Sequence, residues 1–576
     1  MKYLKLHIIF LTLLVLVIGC DNFLSTKPAG TLSEEDITDA DNVDGLVTAA
    51  YAAVGNDDMI GLKTSMWGHG SVRSDNAYKG GGGVSDVIEL NWFEQYNLTR
   101  PDMNAFIAKT WENGFNAISR ANVALRALNQ VSEEEFPLKT TRIAEMRFLR
   151  GHMYFVLKRI FKFIPYIDET RTNEEIENEI SNVEFTNDEL WDKIGEDFNF
   201  AYNNLPETQE QVGRPNRYAA AAYLAKLRLY QAYEQNENHQ VVNINQDKLQ
   251  EVLTLTEEVI NSMQYDLHPD FALNFLPEGE NGVESVWAVQ YSINDGTSIG
   301  RLNMETGLNY PLAPQYGCCG FHVPSENMVN AFKTSNEGLP LFDTYNNEDP
   351  NEINLDTVPI DPRVDHTVGI DGHPYKYANE PDRLYSNSWA RVPGVYGVFS
   401  TMKEIQLSEC ECFKKEGPFI GTSVNVDIIR YADVLLWRAE ALIETGQHAA
   451  ARPLINQIRA RAANSTDRTQ LADGSDPSNY NISQYDGSNM NWTQANAREA
   501  LRWERRLEFA MEGKRFFDLV RWGIAEETLN EYLQVEKERR SYLQNANFTA
   551  GRDEYYPIPQ REIDFTEGLY EQNPGY

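Results

Sequence analysis

Positive charge is scarce in this chain. Its 576 residues carry 51 Lys and Arg against 86 Asp and Glu, a formal net charge of −35. Nucleic-acid binders display basic patches that neutralise phosphates, so this balance argues against a nucleic-acid partner. Histidine is also thin, with nine scattered copies. The motifs that mark common enzyme sites are missing: no H-E-x-x-H, no G-x-S-x-G and no G-x-x-x-x-G-K-[ST]. Lys79 to Gly83 reads KGGGG but lacks the Lys-Ser/Thr that completes a phosphate loop, so it reads as a flexible loop. NEDPNEINLD is acidic but does not have EF-hand spacing, and reads as a solvated loop. With 86 acidic residues, paired carboxylates arise everywhere and single out no glycosidase site. No catalytic residue, metal or cofactor is assigned.

Long apolar runs are missing too, apart from one near the start. The run from about Ile8 to Ile18 is shorter than the roughly 20 residues a helix needs to cross a bilayer. Lys2 and Lys5 precede it and Gly19-Cys20 closes it, the layout of a secretory signal peptide. Val17-Ile18-Gly19-Cys20 resembles the bacterial lipobox, in which signal peptidase cuts before Cys and the thiol receives a diacylglycerol. Residues 1–19 are thus expected to leave, and 20–40 to form a lipidated tether at Cys20. The rival is ordinary secretory cleavage with Cys20 a plain thiol. Two or more acyl chains hold a protein stably at a membrane.

Cysteine is rare: Cys20, Cys318, Cys319, Cys410 and Cys412. In an exported chain the last four are candidates for disulfides, and bonds between the two segments would join distant loops. Zinc is the weaker alternative, because adjacent Cys318 and Cys319 do not follow C-x₂₋₄-C spacing. Free thiols stay open.

What is abundant is helix patterning. TRIAEMRFLRGHMYFVLKRIF places Ile143, Met146, Leu149, Met153, Val156 and Ile160 on one face. With FNAISRANVALRAL before it, the pair predicts an antiparallel hairpin. Residues 187–205 predict a helix, followed across GRPNR by YAAAAYLAKLRLYQAY, where Ala219 to Ala222 and Ala225 allow close approach of another helix. DKLQEVLTLTEEVINSM opens a third pair. IIRYADVLLWRAEALIETGQHAAARPLINQIRARA is the clearest hairpin, with Gly446 at the turn and a second helix from about His448 to Ala463. Helix, short glycine turn, helix is the tetratricopeptide layout, here without a clean 34-residue period. LRWERRLEFAMEGKRFFDLVRWG reads as a packed helix with Glu512–Arg515 and Asp518–Arg521 pairs one turn apart. Between 265 and 428, Gly, Pro, Asn and Asp rise and helix periodicity fades. SVWAVQYS reads as a strand there. The expected division is a helical part at 41–264, an irregular ligand-binding insertion at 265–428, and helices with a tail at 429–576.

Taken in order, CDNFLSTKP, AEMRFLRGHMYFVL, GRPNRYAAAAYLAKLRLY, DPRVDHTVG, IRYADVLLWRAEAL, INQIRARA, ERRLEFAMEGKRFFDLVRWG and YYPIPQREIDFTEGLYEQNPGY resemble the SusD/RagB family of outer-membrane nutrient-binding lipoproteins of the Bacteroidetes. The resemblance spans nearly all of the mature chain. It departs at Lys162-Phe163-Ile164-Pro165-Tyr166, where members often have a Gly-x-Pro-Leu-like end, and at the vicinal cysteines. It implies a mainly α fold: a tetratricopeptide-like scaffold with long irregular loops and a few short strands. It also implies an outward-facing position on the outer membrane and a SusC-like TonB-dependent β-barrel partner that the lipoprotein covers as a hinged lid. The implied ligand is an oligosaccharide. A peptide-binding, RagB-like role is the nearest alternative; a surface glycoside hydrolase or a scaffold that binds no free ligand are the rivals from other classes.

Sugar sites pair aromatic faces with side chains that bond hydroxyls. MWGHGSVRSDNAYKGGGGVSDVIELNWFEQYN has that mixture, and Trp67, Asp75, Asn76, Tyr78 and Trp92 are its candidates. Tyr310 and Tyr316, near the cysteines, and Trp389 are further ones. The alternative for Trp67 and Trp92 is a place in the core.

Overall fold

The computed structural model describes residues 40–55, 58–296, 301–349 and 354–576. The signal peptide, Cys20 and almost all of the tether lie outside the described residues.

The helical scaffold comprises α1 (Ala40–Val54), α2 (Pro101–Gln130), α3 (Lys139–Phe161), α4 (Asn187–Asn204), α5 (Arg217–Ala232), α6 (Gln246–Asn261), α7 (Tyr431–Glu444), α8 (His448–Ala463), α9 (Gln494–Glu508), α10 (Arg515–Arg521) and α11 (Ala525–Arg539). From α1 to α8 each helix packs on the next in sequence. The order runs straight through a gap of some 170 residues, because α6 packs directly on α7. The fold is mainly α, a tetratricopeptide-like stack, and the segment between α6 and α7 is looped out of it.

Local chemistry sets the helix ends. Thr186 and Glu189 form a reciprocal capping box at the start of α4, satisfying backbone donors that lack helical partners. Asn216 and Asn245 cap α5 and α6. Gly446, with φ +79°, makes the turn between α7 and α8. Ala219 to Ala222 and Ala225 are fully buried where α5 is clasped between α4 and α6.

Strands are short and occur in antiparallel pairs: β1 (Ala77–Gly80) with β5 (Phe321–Pro324), β2 (Tyr233–Gln235) with β3 (Val241–Ile244), β4 (Ser285–Val289) with β10 (Val426–Arg430), β6 (Val368–Gly369) with β7 (Ser400–Thr401), and β8 (Phe413–Glu416) with β9 (Phe419–Thr422). In the first pair Tyr78 faces Val323 across the ladder. The β4–β10 pair closes the base of the inserted segment, since β10 leads directly into α7.

A buried ionic seam ties the insertion to the stack. Arg363, Lys403, Arg430, Arg459 and Arg461 interlock with Glu284, Asp361, Glu504, Glu508 and Glu512. Buried charges are tolerated when paired and hydrogen-bonded, as here. The seam also accounts for one departure from the sequence reading. The helix ends at Glu508, Met511 and Gly513 take positive φ, and α10 starts afresh. Glu512 therefore turns to Arg430 and Lys403 rather than to Arg515, and Arg515 pairs with Asp75. Asp518 and Arg521, inside α10, pair at 3.1 Å as their spacing predicts.

Candidate functional site: a mixed apolar and polar groove

The disulfides fall within each cysteine pair, Cys318–Cys319 and Cys410–Cys412. The sequence left the pairing open; each pair closes on itself, and neither bond joins the two distant loops.

Most of the aromatic and polar candidates lie inside the protein. Trp67 is fully buried, and its indole N–H donates to the carbonyls of Met59 and Glu305 at 3.0 and 2.9 Å. Asp75 is buried against Arg506 and Arg515, each at 2.9 Å. Burial alone would raise its pKa, but the two guanidiniums hold it down at about 2. The Asn76 carbonyl accepts from the Ser325 amide at 2.9 Å, next to the β1–β5 pair. Tyr78 is fully buried and donates to Glu536 at 2.6 Å. Tyr310 is fully buried, with its hydroxyl accepting from the Gln406 amide. Tyr316 packs against Tyr310 and Phe413, and Trp389 against Tyr375 and Tyr385. Trp92 is half-buried under the Arg100 guanidinium, 4.6 Å from the ring centre. These side chains build the core and its ion pairs. A buried ring or carboxylate with internal partners presents no surface to a ligand, which corrects the assignment for Trp67, Asp75, Tyr78 and Tyr310; Asn76 is buried as well, its side-chain oxygen without a hydrogen-bond partner.

A groove of about 580 Å³ takes Asp86 and Val87 from the first of the candidate stretches and the rest of its lining from other segments; its volume is within the 300–1,000 Å³ range of small-molecule sites. One wall is a face of α2, where Phe106, Lys109, Thr110 and Asn113 recur at helical spacing. Asp58, Met59 and Ile60 stand beside it. The opposite side holds Asp86 and Val87, the Cys318–Cys319 disulfide, Arg391 and Phe419. Phe321 of β5 and Leu308 lie at the base, both buried.

Hydrogen bonds fix the polar rim. Arg391 donates to the Cys319 carbonyl at 2.8 Å and pairs with Asp86 at 3.2 Å. Asp86 in turn accepts from the Gly82 amide at 2.7 Å. A Cβ on Gly82 would come within 2.9 Å of the tip of the Arg391 side chain, which would have to shift to make room. The KGGGG segment is held from beneath. Lys79 Nζ donates to the carbonyls of Gly80, Gly83 and Asp86 at 3.1, 2.9 and 2.5 Å. Burial draws the Lys79 pKa down to about 8 and pushes that of nearby Glu94 up to about 7. Across the groove, Asp58 accepts from Lys109 at 2.8 Å and from Asn113 at 2.6 Å. The result is two charged clusters flanking an apolar strip of Met59, Ile60, the disulfide and Phe419. Such a strip covers flat C–H faces, and the flanking groups bond hydroxyls.

None of the aromatic or polar candidates named from sequence lines this groove; Asp58, Asp86, Lys109, Asn113, Arg391 and Phe419 do. For α2 the signal was present: Phe106, Lys109, Thr110 and Asn113 share one face of a predictable helix. Arg391 and Phe419 arrive from far along the chain through pairings no local pattern reveals.

Comparison with known proteins decides the family. The SusD family model matches residues 283–576, just over half of the chain. The chain belongs to the SusD family. A second model, described as starch-binding associating with outer membrane, matches residues 22–229. The chain is 25% identical over 584 aligned residues to SusD-like protein P2 of Formosa agariphila, covering 99% of this chain and 100% of that protein. It is 22% identical to a SusD-like protein of Bacteroides ovatus, over 90% of this chain and 82% of the other. Among solved structures, a SusD superfamily protein from Bacteroides vulgatus superposes with a TM-score of 0.68 at 22% identity, over 94% of this chain and all of that one. A laminarin-binding SusD-like protein gives 0.65 at 22% identity, over 93% and 99% of the two chains. No helix among the described residues is long and apolar enough to cross a membrane.

Proposed function

We propose that this SusD-family chain is a cell-surface lipoprotein that captures an oligosaccharide in the α2–Arg391 groove and passes it, without cleaving it, to a SusC-like TonB-dependent barrel. The observation that carries the reading is the groove: an apolar strip between two fixed charged clusters, on a fold shared with a laminarin-binding protein and with a surface glycan-binding protein of Bacteroides thetaiotaomicron solved with laminarihexaose. The lipobox-like Cys20 supplies the anchor, and tethering beside the barrel raises the lid's effective concentration there.

The test is isothermal titration of residues 21–576 with a panel of oligosaccharides, laminarin fragments included, and with peptides, each mixture then assayed for new products. Saturable sugar binding without products supports the proposal. Cleavage overturns it, and binding of peptides alone moves the chain to the peptide-uptake branch. For the anchor, Cys20→Ser is expected to move the protein out of the membrane fraction.

A further inference from the structure

A second cavity, of about 140 Å³, lies at the seam between α3, α5, β10 and the turn after α9. It is separate from the groove and holds an arrangement the glycan reading does not use. Lys226 of α5 points its stem among aromatic rings, with Nζ 5.2 Å from the centres of Phe155 and Tyr223 and 5.8 Å from that of Trp437. Lys226 has no ion-pair partner among the described residues. Arg159 of α3 lines the same cavity and also lacks a carboxylate partner among the described residues. It rests on Phe155 and Phe517, 4.7 and 4.4 Å from the ring centres, and approaches the Met66 sulfur at 3.4 Å.

The surrounding charges do not neutralise this pair. Arg159, Lys514 and Arg505 add to the positive field at Lys226, and Asp433 is the carboxylate that opposes them. Asp433 is already engaged by Lys514 at 2.6 Å and by the Arg430 amide. The other acids of the cavity wall are likewise committed. Glu512 holds Arg430 and Lys403, Glu404 holds His322 and Asn309, and Asp427 accepts from Ser285. Thr306 Oγ1 and Ser65 Oγ, in the same wall, are buried without hydrogen-bond partners. Two basic side chains without a carboxylate partner among the described residues, and two idle hydroxyls, thus line one cavity; burial and the neighbouring Arg159 hold the Lys226 pKa well below its ordinary value, and a bound anion would restore its charge. A buried charge without a counter-charge is costly. A water needs only about 10–15 Å³ of such space, so the cavity has room for a small anion with several waters.

We propose that this cavity is a binding site for a small oxyanion, held by Lys226 and Arg159 through charge-assisted hydrogen bonds. The chemistry is shared by free sulfate or phosphate and by a carboxylate carried on a single sugar. The assay is thermal unfolding of residues 21–576 against rising sodium sulfate, sodium phosphate or sodium glucuronate, each compared with sodium chloride at matched ionic strength. Lys226→Met and Lys226→Arg are run alongside. Methionine suits the ring-lined path of the stem, and arginine keeps the charge. Saturable stabilisation by at least one anion over chloride is expected, with the apparent dissociation constant raised about tenfold or more in Lys226→Met and largely kept in Lys226→Arg. Response to sulfate or phosphate marks a free inorganic anion, and response to glucuronate alone marks a sugar-borne one; both support the site. Stabilisation no greater than with chloride for all three anions, or a response unchanged in Lys226→Met, overturns it.

Discussion

Replacing Glu508 by glutamine keeps the shape of the side chain and removes one charge from the ionic seam. Glu508 is fully buried. One oxygen accepts from Arg430 at 2.8 Å and from Arg461 at 2.5 Å, and the other from Arg363 at 3.2 Å. These guanidiniums come from β10, α8 and the insertion, so the carboxylate joins three parts of the chain. In Glu508→Gln the amide nitrogen meets a guanidinium donor to donor, and the five cations of the seam face one carboxylate too few. Breaking a buried pair on one side costs about 3–5 kcal/mol, and that is the expected loss at pH 7, read by urea unfolding followed through tryptophan fluorescence. The pH dependence has a definite sign. Burial opposes ionisation of Glu508, but Arg461, Arg430 and Arg363 outweigh it and hold the carboxyl well below its ordinary range. A depressed acid stabilises fully above its unfolded pKa of about 4.3 and loses that contribution as pH falls through the folded value. The gap between wild type and Glu508→Gln is therefore constant from pH 7 to about 4.5 and narrows below. A gap under about 1 kcal/mol at pH 7, or one that widens with acid, would refute the account.

Phe419→Ala removes aromatic surface from the groove strip, and we expect sugar affinity to fall by about 1–2 kcal/mol, roughly 5–30-fold, in titration calorimetry with little change in melting temperature. Arg391→Met frees both Asp86 and the Cys319 carbonyl; affinity should fall at least as far, and melting temperature only slightly, since the arginine is partly exposed. Gly70→Ala would place a Cβ 1.8 Å from the Gly513 carbonyl oxygen, backbone against backbone, and is expected to cost more than about 2 kcal/mol or to prevent folding, seen as a lost or strongly lowered thermal transition. Asp427 lies in the second cavity with its pKa raised by burial to about 7. A raised acid is fully tolerated below its unfolded pKa and destabilises increasingly as pH climbs towards 7, so Asp427→Asn should match wild type near pH 4 and exceed it in melting temperature at pH 8.

The helical stack was legible because its signals are local. Apolar spacing along Ile143–Ile160, the alanine run at 219–225 and the glycine at 446 each act within a few residues of where they sit, and each does in the structure what its chemistry demands. The groove was not legible from the candidates, none of which lines it. Trp67, Asp75 and Tyr78 have the composition of a sugar site, but the same composition builds an ion-paired core: a ring to fill space, a carboxylate for an arginine, a hydroxyl for a buried glutamate. Burial separates the two cases, and burial depends on partners hundreds of residues away. Arg515 for Asp75, Glu536 for Tyr78 and Glu305 for Trp67 are all such partners. The break at Met511 and Gly513 was hidden for the same reason, since the charges that draw Glu512 out of helical register come from Lys403 and Arg430.

This division of labour follows from how a looped-out segment can be held. The insertion has little regular backbone pairing of its own, and its strands come in isolated pairs. Its position must therefore be set by side chains, and buried ion pairs fix position because each has few acceptable geometries. Arg363 on the insertion, reaching Glu504 and Glu508 on α9, does this at one end. At the other, the β1–β5 ladder and Arg391 bring the disulfide and the glycine loop to the groove. With the frame carried by the seam, the groove side chains Phe419 and Lys109 take no part in it: Lys109 pairs with Asp58, and Phe419 is a partly buried ring against the core. The frame and the recognition surface can then vary separately, and the double variant Glu508→Gln/Phe419→Ala should show it: its losses in stability and in sugar affinity are expected to equal those of the single variants to within about 0.5 kcal/mol. Coupling larger than that would mean that the seam shapes the groove directly.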